Sequence, residues 1–598
     1  MTANERLQAL RQVMREKKID AYLVQSSDYH QSEYLAPHFA ERAWLTGFTG
    51  SAGLAIVTAD EALVWADGRY TIQAKQQLEG SDFKAMPWGS GPGMISPQEW
   101  LRDNLPDHSS FGYYGAYMSP AMFANWEQAL KGKEIKFVES EDLVGAIWAE
   151  RPAIPESQGF ILGPEYSGKA AHEKLAELRS ELKAKGASHT VLASLDDIAW
   201  LFNLRGRDIE SNPVLFAYAM ITPETATLYT SERKLSEELK AKLAKEGIDF
   251  KAYEAIFDEL KGLPADAVVF YDPERFNRKL YLALPEAVKT ISGTNITTEF
   301  KAIKNSVEEA KQREAYRIDA LALTRFMYWL HQEIEVAKKE INEWEASERL
   351  LAFREQAESF IEPSFTTISA YGPNAAMMHY GPSPEKSAVI KPEGLYLFDS
   401  GGQYYEGTTD ITRTQQMGPL TEEMKLAYTY TLKSSLTLLM GRFLAGATGS
   451  KLDAIARYPL WQIGSDYKCG TGHGVGFCLN VHEGPQRLGF APNSVALKPG
   501  MVVTVEPGVY KEGKFGIRIE NVVIVKEELN NDSGQFLKLD ALNYIPMDTR
   551  PVLVEHLTDA EIEWVNAYQQ RSYEELKEQL SPAEAEWLKD FCAPLSRV

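Results

Sequence analysis

Two stretches of this chain echo one another at long range, and the echo sets the architecture of its first half. ERLQALR at residues 5–11 returns as EKLAELR at 173–179, and the apolar strand around Tyr22 to Val24 returns at Thr190 to Leu192, an offset of 168 in both cases. EALVWADGR at 61–69 returns as TATLYTSER at 225–233, 164 residues on. A unit this long implies two copies of an α/β domain, because solenoid repeats run about 20–50 residues. The copies differ at one charged turn: the first reads Asp67-Gly68-Arg69, while the second keeps Arg233 and has lost Asp-Gly. Pro152 and Pro155 in ERPAIPESQ mark the first junction and the polar stretch SGTNITTEFKAIKNS the second. The expected domains are therefore 1–155, 156–302 and 303–598.

The chemistry is concentrated in the third domain. LYLFDSGGQYYEGTTDITRT reads as an apolar strand ending at Asp399, a Gly-rich turn, and a second strand in which two-residue alternation puts Asp410, Thr412 and Thr414 on one face. Two carboxylates then face each other across a hairpin. GMVVTVEPGVY delivers Glu506 at the end of a β-branched run, and GIRIENVVIV places Arg518 and Glu520 on the polar face opposite Ile517 and Ile519, inside an apolar strand. GTGHGVGF adds His473 among glycines, which let a ligand crowd the backbone. A single Asp at a strand end is more often a turn residue than a ligand. Four carboxylates and one imidazole in order along one domain are another matter, because they form a hard, mostly oxygen donor set suited to Mn²⁺, Co²⁺ or Zn²⁺.

The motifs LFDSGGQYYEGTTDITRT, GTGHGVGF, NVHEGPQ, TVEPGVY and GIRIENV resemble those of the pita-bread metallopeptidases, most closely their long, three-domain aminopeptidase P branch. SDYHQSEYLAP, GFTGSAG and ADGRYTIQAKQQL near the N-terminus, SLDDIAWLFNLRGRDIESNPV in the second domain, and AYGPNAAMMHYGPSPE and LTDAEIEWVNAYQQ in the third extend the resemblance over nearly the whole chain. It implies a fold of α/β and α+β class, two duplicated creatinase-like α/β domains followed by a pita-bread catalytic domain with a curved antiparallel sheet flanked by helices. It implies that Asp399, Asp410, His473, Glu506 and Glu520 hold two divalent ions, most often Mn²⁺, with Asp410 and Glu520 bridging. It further implies that His379 and His482 contact substrate and handle charge or protons, that Arg69 helps bind the peptide, and that His473 sits close to substrate. Independently of the resemblance, Glu506 is the ligand expected to shuttle a proton, and Arg518 is a further candidate for binding the peptide. The implied reaction is hydrolysis of the N-terminal X-Pro bond of peptides whose second residue is proline, by a hydroxide that the two ions activate. Such a bond is a tertiary amide, so its nitrogen must gain a proton before proline can leave. A homodimer is implied as well. A prolidase restricted to X-Pro dipeptides and a non-catalytic peptide-binding protein are the alternatives, and the duplicated N-terminal half and the complete ligand set weigh against them. One position departs from the family pattern: Cys469 stands where a histidine usually precedes the metal-binding one by four residues.

Composition bounds the partners. A formal charge of −21 with no Lys/Arg run disfavours nucleic acid. No apolar run approaches the roughly 20 residues that cross a bilayer, and the N-terminal segment carries charges among Leu7, Leu10, Val13 and Met14 at helical spacing, an amphipathic surface helix and not a signal peptide. Three cysteines without C-x-x-C spacing point to a reducing compartment, so the expected location is cytoplasmic. The segment SVEEAKQREAYRIDALALTRFMYWLHQEI crowds Ala320, Leu321, Leu323, Phe326, Leu330 and Ile334 on one side and reads as a long core helix opening the third domain.

Overall fold

The sequence repeat is a repeat of topology. One six-stranded sheet runs in the order Lys84–Pro87, Ala62–Ala66, Leu54–Thr58, Ala21–Gln25, Ser110–Tyr114, Lys136–Ser140, and a second runs Asp249–Lys251, Ala226–Thr230, Ala217–Ile221, His189–Leu192, Val268–Tyr271, Lys289–Ser292. In each, the strand that carries the echoed apolar triplet pairs antiparallel on one side and parallel on the other. The ERLQALR and EKLAELR strings lie on helices Ala3–Lys17 and Ala171–Ala184, which bury Leu7, Leu10 and Met14 in the first and Leu175, Leu178 and Leu182 in the second. The structure, a computed structural model, describes residues 1–88 and 94–597. Its chain divides into two units, Met1–Pro164 with Lys169–Glu299, and Glu165–Gly168 with the residues from Phe300 onward. Both α/β copies belong to the first unit. They are joined by backbone bonds such as Ala121 N to Pro273 O (2.9 Å) and by His30, whose ring lies between Ala193 O (2.8 Å) and the Tyr253 hydroxyl (2.7 Å).

The second unit is antiparallel throughout its named strand pairs. Helix Ser306–Leu330, continued by a wider π turn to Val336, buries Ala320, Leu323, Phe326, Leu330 and Ile334 against Tyr396, Phe398 and Ile411 of two paired strands. Each leucine, isoleucine or phenylalanine side chain so removed from water contributes about 1.5–3 kcal/mol. Helices Glu422–Leu439 and Gly449–Gln462 cover Val503, Val505, Val523 and Val525 of a six-stranded sheet in the same way. No helix among the described residues is long and apolar enough to cross a membrane.

What positions the site is a switch between sheets. Strand Val502–Val505 pairs with Asn521–Asn531 in the six-stranded sheet, whereas its continuation Gly508–Lys511 pairs with Phe515–Arg518 in a separate hairpin. Both chains break at the same level, between the pairs Val505↔Asn521 and Gly508↔Arg518. Glu506 lies in one break and Glu520 in the other.

Candidate metal centre

Glu520 is therefore not inside a continuous strand, as the apolar run GIRIENVVIV suggests, but in the two-residue gap between Phe515–Arg518 and Asn521–Asn531. A residue in such a gap does not have to alternate faces with its neighbours, which is why Glu520 is buried together with Arg518, Ile517 and Ile519. The Asp399 hairpin departs from expectation in a similar way. Strand Leu395–Ser400 pairs with Ile411–Gln416 with Asp399 opposite Thr412, but between them Gly402–Tyr404 and Gly407–Thr408 form their own small hairpin, and Asp410 sits one residue ahead of its strand. Gly401 permits this crossing, since a Cβ there would lie 1.8 Å from Thr409 O.

Asp399, Asp410 and Glu520 each turn a carboxylate oxygen into one space, with those atoms all within 4.8 Å of one another. His473 Nε2 joins them at 3.4 Å from Asp410 Oδ2 and 3.3 Å from Glu506 Oε1. The other ring nitrogen, Nδ1, lies 2.8 Å from Gly474 O. A carbonyl only accepts, so Nδ1 carries a proton in either charge state, and Nε2 faces the carboxylates, donating to them while the ring is charged and free to ligate once a cation replaces that proton. Gly472 and Gly474 leave room for neighbouring strand backbone, because their Cβ atoms would stand 1.9 Å from Thr504 O and 2.2 Å from Glu483 O. Thr504 holds both its neighbours, accepting from His473 N at 3.0 Å and donating to Glu506 Oε1 at 3.1 Å.

The electrostatics are those of a site short of positive charge. Burial first, then the neighbouring carboxylates, raise Glu520 well above the usual carboxylate range. Asp399 and Glu506 are also raised, by burial first, with Arg518 opposing the rise at Asp399 and His473 and Arg518 opposing it at Glu506. His473 moves the other way: burial lowers it, but the hydrogen bond to Asp410 and the charges of Glu506 and Asp410 outweigh that and lift it to about 9. Asp399 Oδ1 and Glu520 Oε1 are buried oxygens with no hydrogen-bond partner. A buried carboxylate oxygen without a donor is costly unless a cation meets it. The residues present thus fit divalent ions: hard oxygen donors, one imidazole in the ligating tautomer, and lone pairs left open toward the shared space.

Arg518 is wholly engaged inside the protein. Its Nη2 donates to Asp399 Oδ2 at 2.5 Å, its Nε to Thr412 Oγ1 at 3.0 Å, and its Nη1 to the Tyr510 hydroxyl at 2.6 Å. Thr412 in turn donates to Glu520 Oε2 at 2.9 Å. The Asp410, Thr412, Thr414 alternation carried the signal for that threonine. Tyr510 stands four residues beyond Glu506 in EPGVY, where nothing local in the sequence marks it as a partner of Arg518.

His482 is brought to the site, its ring perpendicular to that of His473 with centroids 4.3 Å apart. His379 is half-buried on a turn whose preceding carbonyl, Met378 O, accepts from Arg518 Nη2 at 3.3 Å. Arg69 belongs to the first unit. It is bound to Asp67 of its own turn, with Nη2 to Oδ2 at 2.7 Å and about a quarter of the side chain exposed, whereas Arg233 of the second copy is 82% exposed. Cys469 packs at the edge of an apolar cluster, and burial pushes its thiol up to about 12.

Residues 310–527 match the family model of metallopeptidase family M24, and 535–595 that of the C-terminal region of these peptidases. Residues 6–147 and 150–308 each match the creatinase/prolidase N-terminal domain. Across 99% of its length the chain is 38% identical to a probable Xaa-Pro aminopeptidase P of Coprinopsis cinerea, covering 98% of that protein. It is 35% identical to aminopeptidase P1 of Lotus japonicus, over 98% of this chain and 99% of that one. Among solved structures it is similar to the X-prolyl aminopeptidase of Caenorhabditis elegans, described as a cytosolic enzyme with a di-nuclear active site, with a TM-score of 0.96, 33% identity and both chains covered in full.

Proposed function

This chain belongs to metallopeptidase family M24, and from that premise we propose that it is a metal-dependent aminopeptidase that hydrolyses the N-terminal X-Pro bond of peptides. The observation that carries the proposal is the convergence of Asp399, Asp410, Glu520, His473 and Glu506 around a shared space, with Asp399 Oδ1 and Glu520 Oε1 left without donors. These five would hold two divalent ions, Mn²⁺ as first choice. Such a pair would lower the pKa of a water and polarise the scissile carbonyl.

The chain's own residues supply orientation and protons. Arg518 fixes one oxygen of Asp399, so that the other stays directed at the shared space. Arg518 is also a candidate contact for the peptide. Thr504 orients Glu506, whose carboxylate would pass a proton to the leaving proline nitrogen. His482, beside His473, and His379 are the donors for the developing oxyanion and for the peptide, a role whose loss costs about 100-fold or more. Arg69 is assigned to the peptide on the strength of its motif, which only the first of the two copies retains.

Homodimerisation has support from an exposed stripe at one-face spacing, Ile455, Tyr458 and Trp461 on helix Gly449–Gln462, with Phe490 also strongly exposed. A cytoplasmic setting has support from three cysteines, none of them in a disulfide. The domain limits 1–155, 156–302 and 303–598 remain our division.

The test is hydrolysis of a matched set by metal-stripped protein with and without Mn²⁺: X-Pro-Y tripeptides, X-Pro dipeptides and X-Ala-Y controls. Metal-dependent release of X from the X-Pro-Y tripeptides, with the X-Ala-Y controls uncut, is the predicted result. Cleavage confined to dipeptides would make the protein a prolidase, and two bound ions with no cleavage a binding protein.

A further inference from the structure

Glu343 is a fully buried carboxylate far from any candidate ligand in sequence, and it closes one loop. It is the first residue of helix Glu343–Arg354, directly after strand Ile341–Asn342, which pairs with Val389–Ile390. The intervening strand Ile368–Tyr371 leads into residues 372–387, and Val389–Ile390 leads out of them. Both ends of that excursion are bound to Glu343. Its carboxylate accepts from Tyr371 N at 2.6 Å on the entering side and from Ala388 N at 2.8 Å on the leaving side. Inside the loop it accepts from the Tyr380 hydroxyl at 2.8 Å and from Asn374 Nδ2 at 3.0 and 3.1 Å. Its backbone takes part too, with N donating to Ala388 O at 3.0 Å and O accepting from Ser369 Oγ at 2.5 Å.

A carboxylate offers about four acceptor positions, and here donors from both loop ends and the loop interior fill them. The helix N-terminus adds a favourable field for the negative charge. The residue before the hydroxyl-bearing Tyr380 is His379, and the carbonyl before His379 is held by Arg518, which also holds Asp399. The loop is thus fastened at Glu343 on one side and at the metal-centre arginine on the other, with His379 between the two fastenings.

We propose that Glu343 is a positioning residue for the reaction, setting the 372–387 loop so that His379 meets the substrate; this rests on the reading of His379 as a substrate contact. Glutamine is the informative replacement. It keeps the size of the side chain but turns one acceptor oxygen into an NH₂ group, which sets donor against donor at Ala388 N and Tyr380.

The experiment is a double-mutant cycle on kcat/KM for an X-Pro-Y tripeptide with Glu343→Gln, His379→Ala and the pair, alongside bound Mn²⁺ per chain and hydrogen exchange of peptides spanning 371–388. Glu343→Gln is expected to lower kcat/KM by about 100-fold, the scale of a small misplacement of a reacting group. Metal content should stay unchanged, exchange in 371–388 should quicken, and in the His379→Ala background the same change should cost less than about threefold. A full 100-fold loss in that background would mean Glu343 acts elsewhere, and undiminished activity of Glu343→Gln beside a crippled His379→Ala would overturn the proposal. If His379→Ala is itself neutral, the substrate-contact reading fails, and with it the positioning role, while exchange in 371–388 still reports whether Glu343 fastens the loop. Should Glu343→Gln not fold, Tyr380→Phe and Asn374→Ala remove single fastenings with the carboxylate in place. Their combined loss must then be at least about tenfold and must vanish without His379, or the proposal is wrong.

Discussion

Two mostly buried histidines in this molecule are driven in opposite directions. His30, which joins the two α/β copies, donates from Nδ1 to Ala193 O and accepts at Nε2 from the Tyr253 hydroxyl; burial pushes it down to about 3. His473, among four carboxylates, is lifted to about 9 against the effect of its own burial. The first is a neutral joint whose partners saturate it, and the second sits in an excess of negative charge. Two glutamates repeat the contrast. Glu343 is filled by donors from its loop, whereas Glu520 takes Thr412 on one oxygen and leaves the other bare. Burial by itself therefore does not mark a ligand; what sets Glu520 apart is a bare oxygen that shares its space with other carboxylates.

The sharpest way to break this comparison is to remove one of the candidate ligands. Asp410→Ala should bring X-Pro hydrolysis to background and reduce bound metal while the chain still folds, and retained full activity would contradict the metal centre. A smaller effect is expected one step out, where His482→Ala should leave metal content and the unfolding transition alone but slow turnover by about 100-fold. Unchanged kcat would return His482 to a packing role.

The joint should behave differently, as a pH effect on stability. A histidine with a depressed folded pKa contributes stability that is fully present above about pH 6.5 and is lost as pH falls toward 3, because the unfolded chain takes up a proton that the folded one refuses. At pH 5 that is about 2 kcal/mol, from roughly 1.4 kcal/mol per unit. Thermal unfolding of wild type against His30→Gln from pH 7 to 4.5 reads it, and a wild-type slope no steeper than the variant's would remove His30 from the account. Least of all is expected at Cys469. Its thiol, pushed up to about 12 by burial, should resist alkylation at pH 8, and Cys469→His should alter kcat/KM only severalfold. Rapid alkylation would show a thiol in an exposed, activated setting.

These contrasts also explain what was legible in the sequence. The repeat was readable because each copy rebuilds the same strand and helix at the same offset, and apolar alternation survives drift. Asp399, Asp410, Thr412, His473 and Glu506 were readable because strand ends and glycines announce where a chain can crowd a site. The breaks around Glu506 and Glu520 were not, since the β-branched residues from Ile517 to Val525 read as one strand, with no Gly or Pro between them, and only pairing with two different sheets interrupts it. Glu343 was invisible for a related reason: its donors come from residues 28 to 45 positions away, on a loop whose closure no local pattern records.

The most direct test of the central claim is a count of ions. Metal-stripped protein titrated with Mn²⁺, with bound metal measured per chain, should take up two ions in the wild type and fewer than two in Glu520→Gln, with hydrolysis of an X-Pro-Y tripeptide rising along the wild-type curve. A wild type that binds no ion, or two ions held equally well without the Glu520 carboxylate, would contradict it.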